Sequence, residues 1–486
     1  MKKVVIIGSG FSGLSAACYM AKAGYDVTIY EKNSQIGGRA RQYTQEGFYF
    51  DMGPTWYWMP DVFESFFGDF NKKPSDYYNL SRLDPGYEVY FGERDSVKIS
   101  ANPEEIYKTF DAIEPGSSKF LKKFLDEAGY NYRVAMDKII MKPGRNIFEL
   151  ILPETIMRVG QFVKSISQLV RKNIKSDKLA QILEFPVLFL GAKPSNTPAF
   201  YCFMNHVDMI MGTWYVKGGM VNVIRAMAKL AVDSGVKINT DSNVEKIVAK
   251  DGKVQSIVVN GETVELDFLI SGADYHHTET LLEPSYRNYT EAYWSKKTFA
   301  PSALMFYVGF NKKLKNVSHH TLFFDTAFNL HAENIYDNPV WPERPLFYAS
   351  FPSATDESVA PAGQEAAIFL IPVATGLQDD ESLKEKYFSQ IIGRMETLTG
   401  QELFSSILFK KAYSVSDFSK DYNAYQGNAY GLANILTQTA FLKPKMEHKK
   451  LSNFLYTGQL TVPGPGVPPS IISGKIAAGI AIEKLK

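Results

Sequence analysis

The tightest constraint on this chain lies in its first forty residues. Val4-Val5-Ile6-Ile7 is an unbroken apolar run, Gly8-Ser9-Gly10-Phe11-Ser12-Gly13 follows at once, and Leu14 to Ala21 continues as an apolar stretch of helical length. Such a run marks a strand covered on both faces. In the order strand, glycine-rich turn, helix, the three glycines serve different ends. Gly8 makes the turn, Gly10 lets the backbone approach a pyrophosphate, and Gly13 lets the helix pack closely on the strand. The helix N-terminus then presents free N–H groups to the phosphates. After Gly24 a second strand, Asp26 to Tyr30, ends at Glu31, 21 residues beyond Gly10. A carboxylate there accepts the ribose hydroxyls of a dinucleotide, whereas it would repel a 2′-phosphate, so FAD and NAD remain.

The rest of the composition bounds the answer. A chain of 486 residues exceeds what a single core supports and implies two or three domains. Lys+Arg 53 against Asp+Glu 52 sets up no field that would gather a polyanion, which excludes nucleic acid as a partner. The only two cysteines, Cys18 and Cys202, form no metal-binding cluster and read as buried small hydrophobes; no metal is expected. So few cysteines point to a reducing compartment, the cytosol. The opening apolar run breaks at Gly8, too soon for a signal peptide, and no stretch reaches the ~18 apolar residues of a spanning helix.

Just beyond Glu31, Ile36-Gly37-Gly38-Arg39-Ala40-Arg41 offers a second close backbone approach beside a cation suited to a diphosphate. This GGRxR element resembles the amine oxidase and carotenoid desaturase group of FAD enzymes. Asp51-Met52-Gly53-Pro54-Thr55 resembles that group's next stretch, near the flavin ring. The resemblance covers nearly the whole chain and narrows to the bacterial type of phytoene desaturase through Tyr215 to Met220, Pro352 to Asp356 with Ile371 to Ala374, Ala429 to Leu432 with Leu436 to Gln438, and the C-terminus. It implies that Val244, in Asn243 to Val248, meets the adenine through its backbone. At the C-terminus Leu455-Tyr456-Thr457-Gly458 reads as a strand, Thr461 to Pro468 as a rigid loop, and Ser470 to Glu483 as a helix whose N-terminus would stabilise a reduced flavin. Gln459, Leu460, Val462 and Pro469 depart from the family pattern there.

From Lys138 to Lys193 ten basic residues face four acidic ones in an otherwise neutral chain. Ile156, Val159, Val163, Ile166, Val170 and Ile174 recur at helical spacing, a basic amphipathic pattern that suits either a core-facing helix or one lying in lipid headgroups. The resemblance favours the bilayer, because a C40 polyene is insoluble in water.

The expected architecture is therefore α/β. A discontinuous Rossmann-like FAD-binding domain spans 1–75, 215–290 and 440–486, a mixed-sheet substrate domain spans 76–137 and 291–439, and a helical, membrane-facing cap spans 138–214. The expected FAD contacts are Gly8, Gly10, Phe11, Ser12, Gly13, Glu31, Lys32, Gly37, Gly38, Arg39, Gly53, Pro54, Thr55, Val244, Gly458, Gly466, Val467, Pro468 and Ile471. The resemblance implies desaturation of phytoene toward lycopene, with hydride passing to the flavin, quinone or oxygen as electron acceptor, and peripheral attachment to the inner face of the cell membrane. Glu149, an acid in the apolar stretch Asn146 to Leu150, is the candidate acid/base; His276-His277 and His319-His320 lack ligand spacing and read as structural or surface residues. A related dehydrosqualene or hydroxycarotenoid desaturase or a polyene isomerase could share every one of these motifs, a soluble amine oxidase shares the N-terminal pattern, and a non-catalytic lipid carrier like the GDP-dissociation inhibitors keeps a related fold without using flavin.

Overall fold

The computed structural model describes residues 1–486. Strand β1 (Lys3–Ile7) lies at the centre of a five-stranded parallel sheet whose order across the sheet is Phe454–Tyr456, Phe268–Ser271, β1, β2 (Asp26–Tyr30) and Lys237–Asn239. The apolar run in β1 is unbroken because both faces are covered. Val4 and Ile6 face helix α1 (Phe11–Lys22), Val221–Asp233 and the C-terminal helix Val467–Leu485; Val5 and Ile7 face an antiparallel three-stranded layer, Val244–Lys250, Lys253–Val259 and Glu262–Glu265. The two ends of the chain thus meet in one layer, where α1 lies directly against the C-terminal helix.

A seven-stranded mixed sheet stands beside this unit, in the order Ile407–Tyr413, Ser302–Phe310, Glu365–Val373, Phe347–Ser350, His320–Phe323, Tyr87–Gly92 and Asp95–Ile99. Only His320–Phe323 and Tyr87–Gly92 pair in parallel. One face is packed by the helix Glu381–Thr399, through Tyr387, Phe388 and Ile391. The other carries Met305, Tyr307 and Ile368, packed with Phe48 and Phe50.

The third layer is helical, and here the boundaries differ from those expected. Ser117–Val134, assigned from sequence to the substrate domain, packs with Phe203–His206: Tyr132 rests on the ring of His206 at 5.7 Å, and a Cβ on Gly129 would lie 2.9 Å from that ring. The single amphipathic helix expected from Ile156 to Ile174 is instead three short helices, Pro153–Met157, Val159–Val163 and Ile166–Asn173. Ser165 caps the last of them and breaks the run. The apolar stripe divides accordingly. Ile166, Val170 and Ile174 are buried, whereas Ile156, Val159 and Val163 are 60%, 62% and 78% exposed. Six of the ten bases are paired: Lys138 with Glu154, Arg145 with Glu447, Arg158 with Glu127, Arg171 with Glu184 and Asp177, Lys178 with Asp95, and Lys193 with Asp337. The basic excess read from the sequence is therefore largely compensated by acids from elsewhere in the chain. No helix is long and apolar enough to cross a membrane.

Candidate functional site

One cavity of about 580 Å³ runs from the carboxyl ends of β1 and β2 to the helical layer. At its first end the sequence motifs converge. Gly8 turns the chain in the left-handed region at φ +90°, and a Cβ on Gly13 would lie 2.0 Å from the Gly8 carbonyl oxygen, so α1 sits on the strand at a distance only glycine permits. Gly10, by contrast, has no atom within 4 Å of the place of a Cβ. It opens on the cavity beside Phe11 and Ser12. Glu31 accepts from Ser9 N (2.9 Å), Ser9 Oγ (2.7 Å), Asn33 N (2.9 Å) and Asn33 Nδ2 (3.1 Å). The two side-chain donors can turn away, leaving acceptor positions for a pair of vicinal hydroxyls. Ser242 N bonds the Glu31 carbonyl (2.8 Å), which brings Asn243 and Val244 to the same rim.

The second glycine pair lies against the first: a Cβ on Gly38 would be 3.4 Å from the Gly10 Cα, and Gly37 donates its N–H to Ser9 Oγ at 3.2 Å. Arg39 is held by Asn428 O (3.1 Å) and by the Tyr422 ring (5.0 Å), while its Nε is buried with no partner. Burial lowers its pKa, countered by Asp274. Lys32 lines the cavity but donates to Lys420 O at 2.6 Å, tying the crevice to the neighbouring domain. Gly53, Pro54, Thr55, Gly458, Gly466, Val467 and Pro468 line the continuation of the same wall. A glycine-floored cradle, a turn with free amides, a carboxylate at the end of β2 and an unpartnered buried guanidinium N–H together fit a diphosphate-linked dinucleotide.

Two expected contacts lie elsewhere. Gly13 is used up in the approach of helix to strand, and Ile471, 2% exposed, faces the core, where its carbonyl accepts from Ser15 Oγ (2.7 Å). The C-terminal helix is also a weaker donor than expected. Its first three residues are Val467, Pro468 and Pro469, so only Val467 keeps an amide N–H. Val462 reaches the helical layer: a Cβ on Gly144 would lie 2.8 Å from its Cγ1. The amide of Gln459 sits between Gly431 and Arg39, its oxygen accepting from Gly431 N at 3.2 Å and Arg39 Nη2 at 3.1 Å.

Glu149 lines the far end of the cavity, yet its carboxylate accepts from Gly144 N (2.8 Å) and Arg145 N (3.0 Å). It closes its own loop, with both carboxylate oxygens engaged by backbone amides. The sequence reading missed the polar rim of Asn33, Asp274, His277 and Asn423, for which no local motif exists. It also missed the aromatic wall of Trp56, Trp58, Phe185 and Phe189, with ring centroids 4.7–5.8 Å apart. Of the 79 residues around the cavity 43 are hydrophobic, and beyond the dinucleotide crevice the lining is largely apolar and aromatic. Of the paired histidines, His319 and His320 are buried, 5% and 0% exposed, whereas His276 and His277 are half-buried. No group of His, Cys, Asp and Glu side chains is placed to hold a metal ion.

Residues 11–482 match the family described as flavin containing amine oxidoreductase. The chain is similar to the carotenoid 3,4-desaturase of Haloarcula japonica, 38% identical over 99% of this chain and 98% of that protein. It is also similar to the 4,4′-diapophytoene desaturase (4,4′-diaponeurosporene-forming) of Staphylococcus haemolyticus, 30% identical over 99% of each. The crystal structure of an oxidoreductase from Methanosarcina mazei shares the fold, with a TM-score of 0.63 and 17% identity over 97% of this chain and 99% of that one. The chain therefore belongs to the carotenoid desaturase group of the flavin containing amine oxidoreductases, and its cofactor is FAD.

Proposed function

We propose that the protein removes hydrogen across a carbon–carbon single bond of a long acyclic polyene taken from a lipid bilayer, converting phytoene toward lycopene. One observation carries this reading: the crevice that fits FAD opens without a partition into an aromatic, apolar chamber whose far rim is an exposed apolar surface. When bound, FAD supplies a two-electron hydride acceptor. The chain's own residues do the rest. Gly10, Glu31 and Arg39 hold and orient the dinucleotide. The walls around Trp56, Phe185 and Phe189 exclude water and align an extended hydrocarbon beside Pro54 and Thr55.

At the far end, Asn146, Glu149 and Leu150 line the cavity, while Ile147, Phe148 and Ile151 on the same loop are 52%, 75% and 51% exposed. Substrate leaving a membrane at this loop would pass directly into the chamber. The exposed patch continues through Ile156, Met157, Val159 and Val163, and Lys142, Lys164, Lys172 and Lys175 carry no ion pair in the same region. An apolar loop framed by free ammonium groups suits peripheral attachment to an anionic inner membrane face. A membrane quinone would then be at hand as electron acceptor, with oxygen as the alternative.

A second reading, terminal desaturation of an already conjugated carotenoid, is favoured by the 38% identity to a protein named carotenoid 3,4-desaturase. Expression in a host that accumulates phytoene and in one that accumulates lycopene separates the two. Red lycopene in the first host supports the main reading, and a further red shift of the pigment in the second only supports the alternative. Unchanged pigment in both, from a yellow FAD-loaded protein, would sink both.

A further inference from the structure

Beyond the crevice the cavity wall is largely apolar, and among the few hydrogen-bonded polar groups on it one pair leads to a buried imidazole. Thr55 Oγ1 and Tyr348 Oη, both on the wall, lie 2.8 Å apart, and Tyr348 Oη lies 2.7 Å from Nδ1 of His320. The geometry is set by the sheet. Strands His320–Phe323 and Phe347–Ser350 pair antiparallel with Leu322 opposite Tyr348 and His320 opposite Ser350, so His320 and Tyr348 are diagonal neighbours on one face. The imidazole of His320 is wholly buried and stacked on Trp56, ring centroids 4.1 Å apart and planes 9° from parallel. Its Nε2 has no partner. The groups facing it are Tyr348, the edge of the His319 ring at 4.5 Å and, beyond His319, Tyr215 bonded to Asp356. No carboxylate touches it.

A buried imidazole reached from the substrate chamber through a single phenol is what the second half of a desaturation requires, and this inference rests on the desaturase reading. As the C–H bond of one carbon breaks, its electron pair leaves as hydride to the flavin, and the hydrocarbon is oxidised by two electrons. The electron pair of a C–H bond on the neighbouring carbon then forms the new C=C bond, and its proton needs an acceptor in a chamber that excludes water. We propose that Tyr348 and His320 are that acceptor: the proton passes to Tyr348 Oη as the phenol's own proton passes to His320 Nδ1, with Thr55 fixing the rotation of the phenol. When the product has left, the proton returns to the cavity by the same path.

Burial, with His319 adding to it, holds the His320 pKa well below the ordinary imidazole range. A weak base suffices, because a C–H bond beside a developing allylic cation is a strong acid. The Trp56 face then stabilises the transient imidazolium by a cation–π contact. The role requires Nδ1 to be the acceptor, so the ring hydrogen of the resting protein sits on Nε2.

Tyr348→Phe removes only the hydroxyl, and His320→Phe keeps the stack on Trp56 but has no nitrogen. The FAD-loaded enzymes are mixed with polyene in liposomes. Each variant is expected to reduce its flavin about 100-fold more slowly at saturating substrate, with FAD content and KM within about threefold of wild type. Independently of turnover, ¹⁵N NMR of histidine-labelled protein should show His320 as the Nε2–H tautomer, with the Nδ1 resonance displaced in Tyr348→Phe. Rates within threefold of wild type in either variant, or an Nδ1–H tautomer, overturn the relay while leaving the desaturase reading intact. A wild-type protein that oxidises no polyene removes that reading, and the relay with it.

Discussion

Asp208 sits at the end of a hydrogen bond from Tyr87 (2.9 Å), 4% exposed, and burial pushes its carboxyl up to about 7. In the unfolded chain the same group titrates near pH 4. Between those values the folded protein keeps a proton the unfolded chain has lost, so stability falls as pH rises from about 4 to 7 and stays low above that. Asp51, likewise raised to about 7 by burial, adds to the same slope. Asp208→Asn keeps an acceptor for Tyr87 and cannot ionise. It should shrink the stability difference between pH 4.5 and pH 8 by about 2–4 kcal/mol, read from thermal unfolding at the two pH values, without abolishing it. Gly13→Ala tests the crevice at the same scale. Its methyl would meet a backbone oxygen that cannot swing aside, so α1 must shift, at a cost of about 1–3 kcal/mol. The purified variant should be colourless or nearly so; full yellow colour would show that the approach of helix to strand does not set the FAD site.

At the scale of elements, the helical layer is where local pattern and outcome part most clearly. The spacing of apolar residues from Ile156 to Ile174 suits one helix, and the chain makes three, because Ser165 with Gln168 forms a capping box that starts a new helix at Ile166. One half of the stripe is core and the other is presented to the outside. The exposed half, not the number of basic residues, is the part suited to lipid. Phe148→Asp, Met157→Asp and Val163→Asp together should abolish flotation with anionic liposomes while leaving FAD content unchanged, because those side chains are 75%, 75% and 78% exposed and support no packing. Lys172→Ala and Lys175→Ala should only weaken binding, and only at low salt. The reverse ranking would return the role to charge.

Over the whole molecule, the FAD site is built where β1, the strand Phe268–Ser271, the loop after Phe454–Tyr456 and the C-terminal helix converge. Segments so far apart in the chain are held together by the layer α1 forms with the C-terminal helix, and a dinucleotide seated across them binds only the folded state. Removing FAD should therefore lower the thermal midpoint by about 3 °C, the equivalent of a ligand present at about 100 times its Kd; equal midpoints for the two forms would mean that the crevice is already rigid without it.

The sequence alone determined the dinucleotide crevice and the family, and the physical reason is locality. Strand, turn, helix and acid follow one another without interruption from Val4 to Glu31, and Gly8 and Gly13 are required by backbone geometry set within that run. The seven strands of the mixed sheet fall within the segments expected for the substrate domain for a related reason, since their apolar runs must be covered. Only the tertiary structure decided which residues wall the chamber and what they do there. Tyr348 meets Thr55 across nearly 300 residues and joins it to His320, and nothing in the sequence around Tyr348 or His320 points to that meeting. The two amides that Glu149 binds come from its own loop, and the basic segment looked unpaired until acids from four other segments met it. Contacts set by long-range packing leave no period and no spacing in the chain, so they exist only once the layers have closed.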